Sequence, residues 1–413
     1  MKRLKVLLVA YACRPDKGSE PGVGWNMARE LAKHHDVWVL TRQNNASAID
    51  SFLTQTPVAG LQVVYCDLPP VLRWWKYERW EVHLHYALWQ LSAYFVARRL
   101  HHHIQFDLAH HATYSRYCNP SFLTFLPIPM ILGPVGGGES APTSFWQDYG
   151  LRGQLYELLR EGSRWLGEQD PLVWLTARRS RAVLVSTHET ASRMKALGAK
   201  RIETIAGQTG INQQELAQLG LLAHPVSDRP VRFLSLGRLL HWKGFHLGLR
   251  AFAQANLPHA EYWIVGEGKE LGNLEALVQE LGIGDRVRFW GNLPRDQALS
   301  VLGECDVLVH PSLHDFSPTV CLEAMAAGKP VLCLNIGGPA VQITETTGIR
   351  VAAETPEQAV QDLAKAMIQL ASTPELRCQM GEAGQQRVKE FYGWEAKGQI
   401  LAQLYQQVIC QTV

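Results

Sequence analysis

Short apolar runs alternate with longer helical patterns along this chain, and the whole scheme occurs twice. In the first half the runs are 6–10, 37–41, 62–66, 108–110, 130–133 and 182–186, separated by helical stretches such as 24–33, 78–101 and 151–166. In the second half they are 231–236, 261–265, 287–290, 307–310 and 331–334. Short apolar strands set between helices pair in parallel and need helices on both faces. Right-handed crossovers then make each half a doubly wound sheet. The expected fold class is α/β: two doubly wound, Rossmann-like parallel-sheet domains facing across a cleft.

At 413 residues the chain exceeds one ordinary core. With 46% hydrophobic and 19% charged residues it is globular, and a net charge of +2 gives no drive toward nucleic acid. The break falls at 207–229, where Gly207 and Gly210 precede a helical run and 222–230 is a Pro, Ser, Asp and His loop. This sets domains at 1–206 and 207–390, with a tail at 391–413. The tail's helix is apolar on one face and could close either domain. The run 6–10 is too short to span a membrane and reads as a first buried strand rather than a signal peptide. Eight cysteines without a CxxC pair fit buried thiols in a reducing cytosol, so a cytoplasmic protein is expected.

The second half carries its charges where a doubly wound sheet binds ligands, beyond the carboxyl ends of strands. Gly237-Arg238 closes one strand and Lys243-Gly244 opens the next helix. The planar fork of Arg238 and the mobile charge of Lys243 together suit a diphosphate leaving group, with solvated surface cations as the plainer alternative. Gly266 and Gly268 follow the next strand and would permit close backbone approach to a ligand. Further on, Asp315 precedes a helix whose first turn holds Pro318, Thr319 and Val320, and Glu323 lies one turn in. The backbone N–H groups of Thr319 and Val320 could receive a phosphate. Asp315 and Glu323 suit the hydroxyls of a transferred sugar and of a ribose; a helix cap and a helix-dipole charge are the bland reading. Two cations and two acids at one sheet edge point to a nucleotide-activated sugar.

These motifs, with the run Ala324-Met325-Ala326-Ala327-Gly328-Lys329-Pro330-Val331, closely resemble the family 4 retaining glycosyltransferases. The resemblance covers nearly the whole chain and is closest in character to bacterial exopolysaccharide and glycolipid-assembly members. It implies the GT-B architecture, with 1–206 on the acceptor side, 207–390 binding the donor and 391–413 crossing back to the first domain. It also implies that Arg238 and Lys243 bind the donor diphosphate, Glu323 the ribose and Asp315 the donor sugar. The family usually has Glu where Asp315 stands, and Gly-Phe-Gly where this chain has Phe316-Ser317-Pro318. The donor therefore stays open, a UDP- or GDP-hexose being expected.

On the acceptor side, Gly22 and Gly24 lie in a glycine-rich loop that the resemblance brings close to the donor phosphates. Their spacing lacks a tight Gly-x-Gly-x-x-Gly, which argues against a nicotinamide cofactor. Gly136-Gly137-Gly138 is costly to order. It serves either a ligand lying on bare backbone or a tight loop, and Glu139 beside it could reach an acceptor. The resemblance also places a histidine near the anomeric carbon. His110 and His111 both match, and adjacent strand residues face opposite ways. His111, further into the loop, is favoured, and a packing or capping histidine has an equal claim.

The resemblance implies retention of anomeric configuration. No carboxylate nucleophile stands out, so transfer is expected on one face through an oxocarbenium-like ion pair. No bound cofactor is expected, and no metal, because two cations already meet the diphosphate and there is no Asp-x-Asp pair. His101-His102-His103 ends a helix and reads as a dipole partner. Aromatics interleaved with Arg and Lys over 71–99 suit peripheral contact with an anionic membrane, a sugar-stacking surface or an ordinary core. The expected acceptor is a glycan or lipid-linked hydroxyl in polysaccharide or glycolipid synthesis, at the inner face of the membrane. The alternatives are a nucleotide-sugar epimerase of the same fold and a non-catalytic sugar-binding subunit, which would be expected to lose Arg238, Lys243 or Glu323.

Overall fold

The computed structural model describes residues 2–68, 82–205, 208–223 and 229–410. Residues 71–81 of the aromatic and basic segment 71–99, and 206–207 at the expected domain break, lie outside the described residues. The chain forms two compact units. The first holds Met1–Gly138, Arg164–Thr209 and Trp394–Val413; the second holds Glu139–Ser163 and Gly210–Gly393.

In the first unit the strands are β1 (Lys5–Val9), β2 (Asp36–Arg42), β3 (Leu61–Cys66), β4 (Leu108–His111), β5 (Met130–Val135), β6 (Ala182–Val185) and β7 (Ile202–Thr204). Between them run α1 (Ser19–Ala32), α2 (Ala46–Gln55), α3 (Val82–Ile104), α4 (Leu151–Glu168), α5 (Pro171–Arg179) and α6 (His188–Ala196). The boundary between units passes within α4. All strands pair in parallel, in the order β3-β2-β1-β4-β5-β6-β7. Alternation along β1 feeds two cores. Val6 and Leu8 pack with Val23 and Leu31 of α1, while Leu7 and Val9 pack with Tyr86, Trp89 and Ala93 of α3.

The second unit repeats this plan. Its strands are β8 (Val231–Leu236), β9 (Ala260–Val265), β10 (Val287–Gly291), β11 (Val307–His310), β12 (Val331–Leu334) and β13 (Gly348–Val351). They are all parallel, in the order β10-β9-β8-β11-β12-β13. The helices are α7 (Gln213–Gly220), α8 (Phe245–Ala255), α9 (Leu271–Glu280), α10 (Arg295–Glu304), α11 (Thr319–Ala326), α12 (Gly337–Gln342), α13 (Pro356–Ser372) and α14 (Pro374–Arg387). The final helix, α15 (Trp394–Cys410), joins the first unit's core through Leu401, Leu404, Tyr405 and Val408. Both sheets are therefore doubly wound, and the order reverses between β1 and β4 and between β8 and β11. Ligands bind such sheets at that reversal, beyond the strand ends.

All eleven expected strands are found within two residues of the expected bounds. Two further strands, β7 and β13, were not expected; both are short and lie at sheet edges. Helix α1 begins at Ser19 rather than at 24. Gly22 and Gly24 thus lie inside the helix, where a Cβ on Gly24 would stand 2.2 Å from the Ala12 carbonyl oxygen. Their bare backbone lets α1 press against the loop that follows β1.

Candidate functional site

The loop after β8 turns at Gly237, whose φ of +150° favours glycine and whose missing side chain faces open space. Arg238 follows. It is exposed, and its guanidinium has no partner among the described residues. Buried Leu239 pins the loop from below. A 3₁₀ turn, His241–Lys243, then leads to Gly244 (φ +67°), where a Cβ would stand 2.0 Å from the Pro311 carbonyl oxygen. That closeness stitches the loop after β8 to the loop after β11. The Trp242 carbonyl accepts from Leu313 N at 2.8 Å and from Ser312 Oγ at 3.3 Å.

The stitching brings Lys243 onto Asp315. Lys243 Nζ donates to Asp315 Oδ2, and His310 Nε2 lies 3.1 Å from the same oxygen. Burial opposes the carboxylate's charge, but Lys243 and His310 outweigh it and hold the group well below the usual carboxylate range. Burial also pulls His310 down, against the attraction of Asp315. An ionised Asp315 only accepts, so His310 donates to it from Nε2. Asp315 is supported from beneath by α12. Gly338 N donates to the Asp315 carbonyl at 2.6 Å, and a Cβ on Gly337 would stand 2.5 Å from that oxygen.

Gly266 and Gly268 were expected to clear space for a ligand. Their close neighbours are instead protein backbone: a Cβ would stand 1.9 Å from the Gly237 carbonyl oxygen and 2.2 Å from that of Leu239. Both have positive φ, +139° and +159°. Their work is to let the loop after β9 lie flat against the loop that carries Arg238.

Thr319 and Val320 open α11, and Pro318 before them offers no side-chain cap to their N–H groups. Glu323 is buried one turn in, and Arg295 Nη2 of α10 lies 2.8 Å from its Oε1. Burial raises the Glu323 pKa and Arg295 works against that rise. The Arg295 side chain is itself 56% exposed and also reaches Glu215 at 3.4 Å. It is a surface arm laid over a buried acid.

Sequence reasoning missed the group that braces these loops from behind. Glu157 of α4 is fully buried. Its Oε1 meets His241 Nε2 at 3.3 Å and His314 Nε2 at 3.0 Å, and Arg160 Nη1 lies 3.3 Å from Oε2. Burial opposes ionisation, yet the two histidines and Arg160 hold the carboxyl well below its ordinary range. Trp242 is sandwiched between Tyr156 and His314, with ring centroids 5.2 and 5.1 Å away and planes within 10° and 17°. The only sequence signal was the neighbourhood of His241 and His314 to Lys243 and Asp315. Nothing local marked Glu157.

The remaining expected positions lie elsewhere. His110 and His111 are both buried, and burial pulls each down to about 4. His110 contacts Tyr405 Oη and, at 2.6 Å, the Gly133 carbonyl. His111 contacts Tyr86 Oη at 2.8 Å and Ser121 Oγ at 2.7 Å. All four ring nitrogens are spent on protein, so both residues brace β4 rather than face outward. Gly136, buried, forms a bridge with Arg116, and Gly137 has φ +93°. A Cβ on Gly138 would stand 2.7 Å from Thr190. This triplet is a tight turn in the first unit. Glu139 is buried in the second unit, where its carbonyl accepts from Arg160 Nη2 at 2.6 Å.

The site therefore sits at the strand-order reversal of the second sheet. Residues 223–387 match the family described as glycosyl transferases group 1. That stretch contains Arg238, Lys243, Asp315 and Glu323. A lipopolysaccharide core biosynthesis glycosyltransferase, LpsE, of Rhizobium meliloti is 32% identical over 221 residues, which is 53% of this chain and 62% of the relative. The curated relatives are matched over about half their own length, from 36% to 64%. Among solved structures, sucrose-phosphate synthase from Thermosynechococcus elongatus is similar at a TM-score of 0.64 and 19% identity, over 99% of this chain and all of that one. Anabaena HepE in complex with UDP and glucose is similar at 0.55 and 15%, over 98% of this chain and all of that one. At such identities the likeness is one of fold, and the fold is GT-B: two Rossmann-like parallel-sheet domains.

Proposed function

We propose that the chain is a retaining glycosyltransferase that moves a hexose from a UDP- or GDP-activated sugar to a hydroxyl of a glycan or lipid-linked acceptor. The observation that carries this is the partner-free guanidinium of Arg238 in the same loop as Lys243, which pairs with Asp315, at the reversal between β8 and β11. Arg238 and Lys243 would take the diphosphate, with the N–H groups of Thr319 and Val320 adding donors at the start of α11. As phosphate oxygens draw Lys243, Asp315 is left with lone pairs for a sugar hydroxyl. Glu323 would exchange Arg295 for the ribose diol. Bond breaking at the anomeric carbon then gives an oxocarbenium-like ion pair. The departing diphosphate takes the acceptor's proton, and the new bond forms on the same face. These two cations supply the positive charge, so the reading invokes no metal. The names of the relatives, among them the lipopolysaccharide core glycosyltransferases LpsE and LpsD, support polysaccharide or glycolipid synthesis as the setting. A lipid-linked acceptor would be met by peripheral attachment through 71–99 at the inner face of the membrane.

The structure separates two variants that look alike in sequence. Arg238→Ala removes an exposed group with no partner, so the melting temperature should hold while turnover falls roughly 100-fold or more. Lys243→Ala should lose comparable activity but also some stability, because it strips the main counter-charge from half-buried Asp315. A thermal-shift screen of UDP-, GDP- and ADP-sugars identifies the donor, and NMR of the product anomer tests retention. Full turnover in Arg238→Ala, or no nucleotide sugar that raises the melting temperature, would sink the reading.

A further inference from the structure

We infer that one face of the first unit, built by α3, the 3₁₀ turn Phe122–Phe125 and α5, docks on an anionic phospholipid bilayer. It extends the attachment through 71–99 to two elements which that segment does not contain, and it stands whether or not the chain transfers sugar.

The three pieces form one surface. Tyr94 of α3 packs edge-on against Phe125, with ring centroids 6.2 Å apart, and Gln90 donates to the Pro120 carbonyl at 3.1 Å. On the other side, Thr176 Oγ1 of α5 accepts from Ser121 N at 3.0 Å, and Arg179 reaches the Thr124 carbonyl at 3.4 Å. From this surface Leu84, Leu91, Phe95, Phe125, Leu172 and Trp174 project with 37% to 64% of their area exposed. Clustered large apolar side chains left in water mark a contact surface. Leu84, Leu91 and Phe95 lie at spacings of seven and four on α3, and Arg98 and His102 continue the same stripe.

Charge selects the occupant. There is no Asp or Glu in 82–106, 108–138 or 171–188. Of the flanking acids among the described residues, Asp107 accepts from Lys5 N at 2.7 Å, Asp170 caps α5, and Glu168 pairs with Arg193 at 2.6 Å; Glu81, which precedes α3, lies outside the described residues. Arg98, Arg99, Arg178 and Arg179 are all exposed along the same elements. Apolar side chains rimmed by arginine, on three elements that carry no Asp or Glu of their own, suit an anionic leaflet. The indole N–H of Trp174 already donates to the Glu168 carbonyl at 2.6 Å, so the ring enters the acyl boundary without stranding a donor. Among the described residues no helix is long and apolar enough to cross a membrane, so this face would lie on the bilayer.

The test is co-sedimentation of the full chain with phosphatidylcholine vesicles, with and without about 30% phosphatidylglycerol, at about 0.1 M salt. Binding should require phosphatidylglycerol and weaken as salt rises. Phe95→Ser with Trp174→Ser should reduce bound protein roughly tenfold or more. Arg98→Gln with Arg99→Gln, exposed and harmless to folding, should flatten the phosphatidylglycerol dependence. Ile368→Ser, which removes an exposed apolar residue of the second unit, should change nothing. Each variant should keep its nucleotide-sugar thermal shift, so that loss of lipid binding and failure of the donor site read out separately. The inference is overturned if the parent stays in the supernatant, if the two double variants bind as it does, or if Ile368→Ser weakens binding equally. It is also overturned if light scattering shows that the patch variants split a dimer, since the face would then belong to a second copy.

Discussion

At the scale of single residues, the chemistry legible in the sequence was the chemistry that follows strands directly. Arg238, Lys243, Asp315 and Glu323 could be named because each stands just past an apolar run. Their pairings could not. Lys243 and Asp315 are 72 positions apart, and Glu157 is 84 and 157 positions from the histidines it holds. No periodicity encodes such contacts. Glu157 is a positioning residue: it fixes His241 and His314, which neighbour Lys243 and Asp315 in the chain. Gln keeps the size of Glu157 but removes the charge that His241, His314 and Arg160 surround. Breaking a buried charged network from one side costs roughly 3–5 kcal/mol. Glu157→Gln should therefore lower the melting temperature and weaken nucleotide-sugar binding about tenfold, with Arg238 untouched. Thermal melts and donor titrations check this together. A variant that melts lower but binds donor with unchanged affinity would leave Glu157 a purely structural role.

At the scale of elements, the sequence was clear where a strand carries a short apolar run and silent where it does not. Such runs placed eleven strands within two residues, edge strands β3 and β10 included. Edge strands β7 and β13 carry polar or charged residues, Glu203 and Thr204 in one and Arg350 in the other, and give no such signal. The start of α1 was missed because Gly22 and Gly24 resemble loop residues; helix propensity yields there to the need for close approach to Ala12. The destination of α15 was also open in sequence, since an apolar stripe does not name its partner. The helix packs on α1, and a Cβ on Gly398 would stand 2.6 Å from Glu30 Cβ. Gly398→Val should lift α15 from α1 and cost about 1–3 kcal/mol by overpacking, despite the better helix propensity of Val. The readout is a lower melting temperature with earlier proteolysis near the C-terminus. A neutral or stabilised variant would show that α15 is not seated as described.

At the scale of the whole molecule, buried histidines set how stability responds to acid. Burial first, with Arg42 adding to it, pulls His85 down to about 4 against the attraction of Asp67, and burial holds His110 and His111 at about the same value. In the second unit His310 and His314 are also lowered by burial, against Asp315 and Glu157 respectively. The folded protein keeps these rings neutral where the unfolded chain, titrating near 6.5, would protonate them. Between pH 6.5 and about 4 the unfolded state therefore binds more protons, and stability falls as pH falls through that window, by roughly 1.4 kcal/mol per pH unit for each fully shifted ring. Half-buried Glu20 and buried Glu323 have raised values and offset part of this near the acid end. Asp315 and Glu157, held low, add their own loss only below the ordinary carboxylate range. The window that isolates the histidines is thus pH 7 to 5. Across it the melting temperature should drop by several degrees, and unfolding near pH 5.5 should take up protons. The uptake is measurable as a dependence of the calorimetric enthalpy on the buffer's heat of ionisation. A melting temperature that stays flat from pH 7 to 5 would mean that these rings are protonated in the folded chain, and that the hydrogen bonds bracing β4 and Asp315 are made by cations.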